Sequence, residues 1–160
     1  MTMTTLELSL PVALSLLSDL VGRKVTGQET DAVDLSDEDR FIRGVFVGDG
    51  QPAALYFMDV EIAAAIGAAL VMMPARMVNV CVQEQSLPPM LVDNTYEVFN
   101  VGARLINRAG GVHYKLREQL LPGQSLPDDA RDIVQVATQR TDLHLTVDGY
   151  GTGVLTILVR

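Results

Sequence analysis

The sequence predicts a mixed fold, α/β or α+β, with a largely antiparallel sheet, because helical and strand patterns both recur along it. Apolar residues repeat at helical spacing near the start and in the middle of the chain, whereas β-rich runs bounded by turn residues lie between and at the end. Of the 160 residues, 48% are hydrophobic and 20% are charged, which is a globular composition. A chain of this length buries a sizeable core, so we expect a single domain over residues 1–160.

Charge and cysteine content restrict the classes of partner and compartment. The net charge of −8 repels phosphate backbones, so we expect neither nucleic acid nor an anionic membrane as a partner. The single cysteine, Cys81, forms no intrachain disulfide, and no Lys or Arg precedes Arg23 to make the basic start of a signal peptide. The longest apolar run, Ile62–Ala75, is too short to insert across a membrane. These observations predict a soluble, cytoplasmic protein.

The first predicted helix is amphipathic and is followed by a short strand. Four apolar residues repeat at helical spacing: Leu10, Leu14, Leu17 and Val21. Pro11 favours the start of this helix and Gly22 favours its end. We expect a short strand at residues 24–29. The six acids between Glu29 and Asp39 predict a solvated loop, because the glycine and terminal glutamate of a calcium loop are absent.

A hairpin and two helical pieces come next. Asp49-Gly50 is a dipeptide suited to positive φ and is flanked by β-rich runs, so it predicts a hairpin turn. Asp59 is expected to cap an Ala-rich helix that Pro74 ends. A further helical piece is predicted at residues 75–85, before the breaker Ser86–Pro89.

The second half is predicted to contain one long helix and three strands. The helix is expected over Met90–Arg108, ended by Ala109–Gly111. Residues 112–129 give no clear pattern. The three strands are expected at residues 132–139, 143–148 and 154–160, with Gly149–Gly153 as the turn that joins the last two.

A polar ridge runs along the long helix at one side chain per turn: Asp93, Glu97, Asn100, Arg104 and Asn107. At 100° per residue it lies opposite the apolar side, where Leu91, Val98 and Phe99 fall. A long helix ordinarily has such a solvated face, so the ridge alone does not establish a function. Asparagine is a mediocre helix former, yet Asn94 lies inside this helix together with the two asparagines of the ridge. The asparagine side-chain amides of the ridge are therefore candidates for a functional role.

The sequence lacks the other familiar nucleotide-binding, metal-binding and nucleophile motifs. The Gly149–Gly153 run lies between two strands and does not open a helix, so it is a poor nucleotide loop. His113 and His144 are the only histidines, too few for the usual zinc sites. Cys81 lies at helical spacing among apolar residues and is expected in the core. We expect neither a metal nor a cofactor on this chain.

The spacing Asp93-x-x-x-Glu97-x-x-Asn100 resembles the D-x3-E-x2-N signature of the CheC/CheX/FliY phosphatases of bacterial chemotaxis. In that family a proline follows the asparagine by a little over twenty residues, and Pro122 stands 22 positions on, one fewer than usual. The order of predicted elements is similar to CheX, a single domain with one motif copy, along nearly the whole chain. Phe99 departs from the pattern, since it replaces a residue that is usually small.

The resemblance implies a fold, an activity and a set of roles. The fold would be an α+β, CheC-like sandwich of about six mostly antiparallel strands with three to four helices, one of them the long motif helix. The activity would be dephosphorylation of a CheY-type response regulator, an aspartyl-phosphate phosphatase of two-component signalling. The regulator would hold the phospho-aspartate and Mg²⁺. Glu97 would pair with its lysine, Asn100 would orient the attacking water, and Asp93 would support them.

Further expectations concern the contact face and the alternatives to catalysis. Tyr96, Arg104 and Asn107 are candidates for a partner-contact face beside the motif. One alternative is a catalytically inactive, CheX-like or flagellar-switch-like module that only docks a regulator or another protein. Another is a homodimer, which the resemblance also implies. The apolar strand at residues 154–160 is predicted to be an exposed edge that pairs between two copies.

Overall fold

A computed structural model of the protein describes residues 10–107 and 112–160. The described chain forms six strands: β1 (Val25–Glu29), β2 (Phe41–Gly48), β3 (Gln51–Asp59), β4 (Lys115–Leu120), β5 (Gln139–Val147) and β6 (Gly151–Val159). It also forms six helices: α1 (Leu10–Val21), α2 (Val60–Leu70), α3 (Arg76–Glu84), α4 (Pro89–Gly102), α5 (Asp128–Arg131) and α6 (Ile133–Val136). A 3₁₀ turn, Ala103–Leu105, follows α4. The strands make one sheet in the order β1-β5-β6-β3-β2-β4, and every neighbouring pair is antiparallel.

The sheet is covered on both faces, which makes the domain an α+β sandwich. Alternate residues of β3 enter two different cores: Tyr56 and Met58 lie in the larger core with α1, α2 and α4, whereas Leu55 and Phe57 lie in a smaller core with α5 and α6. Because both faces are buried, the central strands carry continuous apolar runs instead of an apolar-polar alternation. The predicted fold class is confirmed.

Local signals in the first half of the chain are confirmed. Asp49 and Gly50 have φ angles of 54° and 80° and join β2 to β3, as the hairpin dipeptide predicts. The Asp59 side chain accepts a hydrogen bond from the Ile62 amide at 2.8 Å and so caps α2. The acidic loop predicted after Glu29 leaves most of its acidic residues exposed, and its apolar residues Val33 and Leu35 pack against the smaller core.

Two expectations for the second half are wrong, and one unassigned stretch forms a strand. Residues 132–139, predicted as a strand, contain α6, because buried Ile133 packs on the sheet through a helical turn and this packing overrides the β-branched composition. Residues 112–129, which gave no pattern, supply edge strand β4. The strand predicted at residues 154–160 is not an exposed edge: β6 lies between β3 and β5, so it cannot pair with a second copy.

The motif helix is shorter than its sequence pattern. The α-helix ends at Gly102 and tightens into the 3₁₀ turn, whereas the pattern predicted helix as far as Arg108. Arg108 and the predicted stop at Ala109–Gly111 lie outside the described residues. Among the residues that are described, no helix is long and apolar enough to cross a membrane.

Asp59 joins the helix layer to the sheet. Its second carboxylate oxygen accepts a hydrogen bond from the Val154 amide of β6 at 3.0 Å. A Cβ atom at Gly153 would collide with the Asp59 carboxylate and the Ile62 amide, so this approach requires glycine. Burial raises the pKa of Asp59 to about 6, although its two hydrogen bonds and Arg40 act in the opposite direction.

The raised pKa of Asp59 predicts a pH-dependent stability. Between roughly pH 4, where the unfolded chain loses this proton, and about pH 6, the folded state binds more protons than the unfolded state. The free energy of unfolding should therefore fall as pH rises through this window. Asp59→Asn removes one hydrogen-bond acceptor and lowers the stability. It should also flatten the pH dependence of the free energy of unfolding, which is measured by urea unfolding. Asp19→Asn makes the same change at an exposed residue and is the control. If the free energy of unfolding of Asp59→Asn falls with pH as steeply as that of the wild type, Asp59 is not the group responsible.

Candidate functional site

The inner face of α4 is anchored to the sheet by aromatic contacts. The Tyr56 hydroxyl donates a hydrogen bond to the Gly102 carbonyl at 2.7 Å, and the ring lies 3.3 Å from where a Gly102 Cβ would stand. Burial raises the pKa of Tyr56, so the hydroxyl remains a donor. Phe99 is buried as the helical wheel predicts, and its ring packs edge-on to Tyr56 with centroids 6.4 Å apart.

Phe99 fits because the strand beneath it has a glycine. A Cβ atom at Gly44 of β2 would stand 3.0 Å from the Phe99 ring, which is closer than carbon atoms normally pack. The departure of Phe99 from the motif pattern is therefore matched on the sheet, and the large ring does not displace α4 outward. The motif itself contains no signal for this pairing, but a glycine inside a strand, here Gly44 of β2, marks a close approach.

Hydrogen bonds fix the sides of α4 to neighbouring elements. The Asn94 side chain donates to the Gly67 carbonyl of α2 at 2.9 Å. On the opposite flank, Gln119 of β4 accepts from the Thr95 hydroxyl at 2.7 Å and donates to the Val92 carbonyl at 3.1 Å. The helix is held from two sides as well as from below, so its outer face has a defined orientation.

The outer face of α4 presents the motif to solvent. Asp93, Tyr96, Glu97 and Asn100 of α4 are exposed, and so is Arg104 of the 3₁₀ turn that follows it. Glu97 and Asn100 are three residues apart and share one side of the helix, so both can reach one site on a partner. Within the described residues, no hydrogen bond or ion pair engages the side chains of Asp93, Glu97 or Asn100. A carboxylate that can hold a cation and an amide that can hold a water are therefore both available.

Asn107 makes hydrogen bonds within the chain. Its amide donates to the Tyr114 carbonyl at 2.9 Å and its oxygen accepts from the Tyr114 amide at 2.6 Å. The side chain is half-buried and closes the connection toward β4. Both polar atoms of the Asn107 amide are therefore engaged within the chain. Asn94 is also engaged internally, which leaves Asn100 as the exposed asparagine of this segment.

Other residues singled out in the sequence lie away from the motif face. Pro122 lies in the turn after β4, where buried Arg43 donates to the carbonyls of Leu121 and Gln124 at 2.8 and 2.5 Å. Cys81 is buried on α3, and burial raises the pKa of its thiol. In residues 10–107 and 112–160, no three His, Cys, Asp or Glu side chains cluster closely enough to hold a metal ion.

The different positions of the asparagines predict different effects on stability. Asn107→Ala removes two hydrogen bonds from the Tyr114 backbone and should lower the free energy of unfolding by about 1–3 kcal/mol. Asn100→Ala removes no internal contact, and alanine is the better helix former, so stability should change by no more than about 0.5 kcal/mol. Urea unfolding of both variants checks this. An Asn100→Ala cost equal to that of Asn107→Ala would show that the Asn100 amide is structural.

Comparison with known proteins shows which fold this is. Neither a protein-family model nor a curated protein sequence matches the chain. Solved structures do match. A chain of the FliM–SpeE complex from H. pylori has a TM-score of 0.62 at 12% identity, over 94% of this chain and 80% of its own.

Two further solved structures also match, one of them a chemotaxis protein by name. CheX from Desulfovibrio desulfuricans has a TM-score of 0.52 at 10% identity, over 94% of this chain and 95% of its own. FliY from Thermotoga maritima has a TM-score of 0.51 at 12% identity, over 92% and 81%. The protein therefore has the fold that CheX, FliY and FliM share.

Proposed function

We propose that this protein stimulates hydrolysis of the phospho-aspartate of a CheY-type response regulator through the outer face of α4. The observation that carries the proposal is the exposed pair Glu97 and Asn100, three residues apart on a helix that is anchored on its other sides. The spacing matches the phosphatase signature, and the fold is the one on which that signature occurs. The regulator supplies the phosphoryl group and Mg²⁺, so this chain needs neither.

The residue types suit phosphoryl transfer to water. This reaction gives the protein little covalent chemistry to perform, so catalysis depends on positioning and on charge. The Asn100 amide has both donors and an acceptor, so it can grip a water molecule and direct it in line with the phosphorus–oxygen bond. Glu97 accepts a charge-assisted hydrogen bond from the regulator's lysine and thereby sets the register of the two proteins. Asp93, one turn before Glu97, adds negative charge that favours the same cation.

Rigid presentation makes the positioning effective. A side chain on an anchored helix loses less conformational freedom on binding than the same side chain on a loop. The bonds from Tyr56 to Gly102 and from Asn94 to Gly67 lie within the chain and hold the helix against its neighbours. The regulator therefore meets a preformed surface, on which Tyr96 stands 43% exposed beside the motif as an aromatic contact.

A second candidate is a module that docks a protein partner without catalysis. The likeness to a chain of the FliM–SpeE complex favours it, because that TM-score exceeds those of CheX and FliY. In this case the outer face of α4 binds the partner but does not shorten the life of a phosphoryl group. The two candidate functions are distinguished by measuring regulator binding and phosphoryl-group lifetime on the same samples. A phosphatase binds and shortens the lifetime, whereas a docking module only binds.

Removal of the Asn100 amide tests catalysis. The wild-type protein should shorten the lifetime of the phosphoryl group on a cognate CheY-type regulator. This lifetime is measured as the rate at which the regulator loses radiolabelled phosphate. Asn100→Ala should reduce this acceleration about 10²-fold, the order of effect expected when a reacting group is misplaced. Asn79→Ala, which removes an exposed amide on α3, is the matched control and should retain the wild-type rate. Full acceleration by Asn100→Ala would remove Asn100 from the mechanism.

Charge reversal at Glu97 tests recognition. Glu97→Lys places a like charge against the regulator's lysine and should raise the Kd for the beryllofluoride-loaded regulator at least about tenfold. Glu84→Lys makes the same change at an exposed residue of α3 and should leave the Kd close to the wild-type value. Isothermal titration calorimetry measures both. Equal Kd values for the two variants would contradict the proposed role of Glu97.

A further inference from the structure

One side chain of edge strand β4 holds the motif helix at two points. Gln119 accepts a hydrogen bond from the Thr95 hydroxyl at 2.7 Å and donates one to the Val92 carbonyl at 3.1 Å. Both partners belong to α4 and are three residues apart, so they lie on one side of the helix. Thr95 is fully buried, whereas Gln119 is half-buried at the edge of the sheet. The motif helix is therefore tied by one side to β4.

The chemistry of the two partners fixes the orientation of the Gln119 amide. Its nitrogen must face Val92 and its oxygen must face Thr95, because a carbonyl oxygen can only accept a hydrogen bond. The reverse orientation would point two oxygen atoms at each other. The Thr95 hydroxyl also lies 2.9 Å from the Val92 carbonyl, but it has a single hydrogen to donate. Since Gln119 already donates to that carbonyl, the hydroxyl hydrogen is available for the Gln119 oxygen.

The sheet joins this contact to the packing of Phe99. Gln119 stands directly opposite Gly44 in the register of β2 and β4, and it is at Gly44 that the Phe99 ring approaches the sheet. Thr95 and Phe99 are one turn apart on the inner face of α4, and both are buried. A ring that packs on a glycine has no preferred direction of approach, whereas a hydrogen bond does. Gln119 therefore adds directional control to a contact of shape.

Gln119 holds more of the helix than the other anchors do. Within the described part of the chain, the bond from Asn94 to α2 and the bond from Tyr56 to the end of α4 each fix a single atom. Tyr56 acts beyond Asn100, at the C-terminal end of the helix. Gln119 fixes two atoms and does so ahead of the motif amide. It is thus well placed to set the rotation of α4 about its own axis.

The rotation of α4 matters because the motif side chains stand far from the helix axis. Side chains end about 5–6 Å from the axis of a helix, so a rotation of about 10° moves them by about 1 Å. A displacement of about 1 Å can lower the rate about 10²-fold when it misplaces a reacting group. The Asn100 amide has to direct a water molecule and is sensitive to this shift. Glu97 only has to reach a cation, which it can follow by changing rotamer.

We propose that Gln119 is a positioning residue for the phosphatase reaction: it sets the rotation of α4 and thereby the direction in which Asn100 holds the attacking water. This inference rests on the proposed function. In this role Gln119 acts through Asn100 and touches neither the regulator nor the water. Loss of Gln119 therefore lowers kcat, whereas the affinity for the regulator, which depends on the exposed face of α4, is preserved.

Replacement of the amide by a thioether of similar length tests the positioning role. Gln119→Met removes both hydrogen bonds to α4, so kcat for loss of the regulator's phosphoryl group should fall at least about tenfold per folded molecule. The KM and the Kd for the beryllofluoride-loaded regulator should each stay within about twofold of the wild-type value. Gln28→Met makes the same change at an exposed residue of the other edge strand, β1, and should leave all three quantities unchanged.

Thr95 tests the contact from the side of the helix. Thr95→Val removes the hydroxyl and keeps the shape, so it should lower kcat as Gln119→Met does. The double variant should be no slower than either single variant, because both changes break the same contact. Thr95→Ser keeps the hydroxyl and should retain a kcat close to that of the wild type. A contact that served stability alone would lower the free energy of unfolding and leave the kcat of the folded protein unchanged.

The orientation of α4 is measured separately from catalysis. Residual dipolar couplings of the backbone amides should show α4 rotated relative to the sheet in Gln119→Met but not in Gln28→Met. If the wild-type protein does not shorten the lifetime of the phosphoryl group, the proposed function fails, and unchanged dipolar couplings in Gln119→Met then overturn the positioning role as well. If the wild type is active, a wild-type kcat in folded Gln119→Met overturns the positioning role. A fall in kcat that is matched by a rise in Kd also overturns it, because Gln119 would then belong to the binding surface.

Discussion

The hydrogen bond from the Tyr56 hydroxyl to the Gly102 carbonyl fixes where the motif helix ends and how it lies on the sheet. The contact favours a glycine, because a Cβ atom at position 102 would stand 3.3 Å from the Tyr56 ring. One turn earlier, Phe99 occupies the space that Gly44 leaves on β2. These two glycine–aromatic contacts set the height of α4 above the sheet. The direction in which Glu97 and Asn100 point depends on them.

With the helix fixed, its polar residues divide into two groups. Asn94 and Asn107 use their amides to hold α2 and the connection to β4, so they belong to the scaffold. Glu97 and Asn100 make no such bonds among the described residues and face outward. A function that depends on an oriented amide gains from this arrangement, because the ordering of the helix is complete before a partner binds.

The features that the sequence predicts well are those set by local chemistry. Asp49-Gly50 specifies its turn through positive φ, and Asp59 specifies a helix start through its side-chain acceptor. The outward face of α4 also follows from periodicity, because a helix with one buried stripe must expose the opposite side. The likeness to the CheX pattern predicted the fold, since the order of elements carries information beyond any single residue.

The features that the sequence does not predict depend on distant contacts. The β-branched residues around Ile133 suggest a strand, but the smaller core accepts them as helix α6. Whether β6 is an edge or an interior strand depends on which strands flank it, and its own residues do not carry that information. Likewise, nothing in the sequence pattern separates Asn107 from Asn100. The difference appears only once Tyr114 is placed beside one of them.

The central claim is that Asn100, alone among the asparagines of this segment, meets the active site of a phosphorylated regulator. Nuclear magnetic resonance of the side-chain amide groups tests it directly, because Asn94, Asn100 and Asn107 give separate signals. On titration with the beryllofluoride-loaded regulator, the account predicts that the Asn100 amide signal shifts while those of Asn94 and Asn107 stay in place. A regulator that binds and leaves the Asn100 signal unchanged would contradict the account.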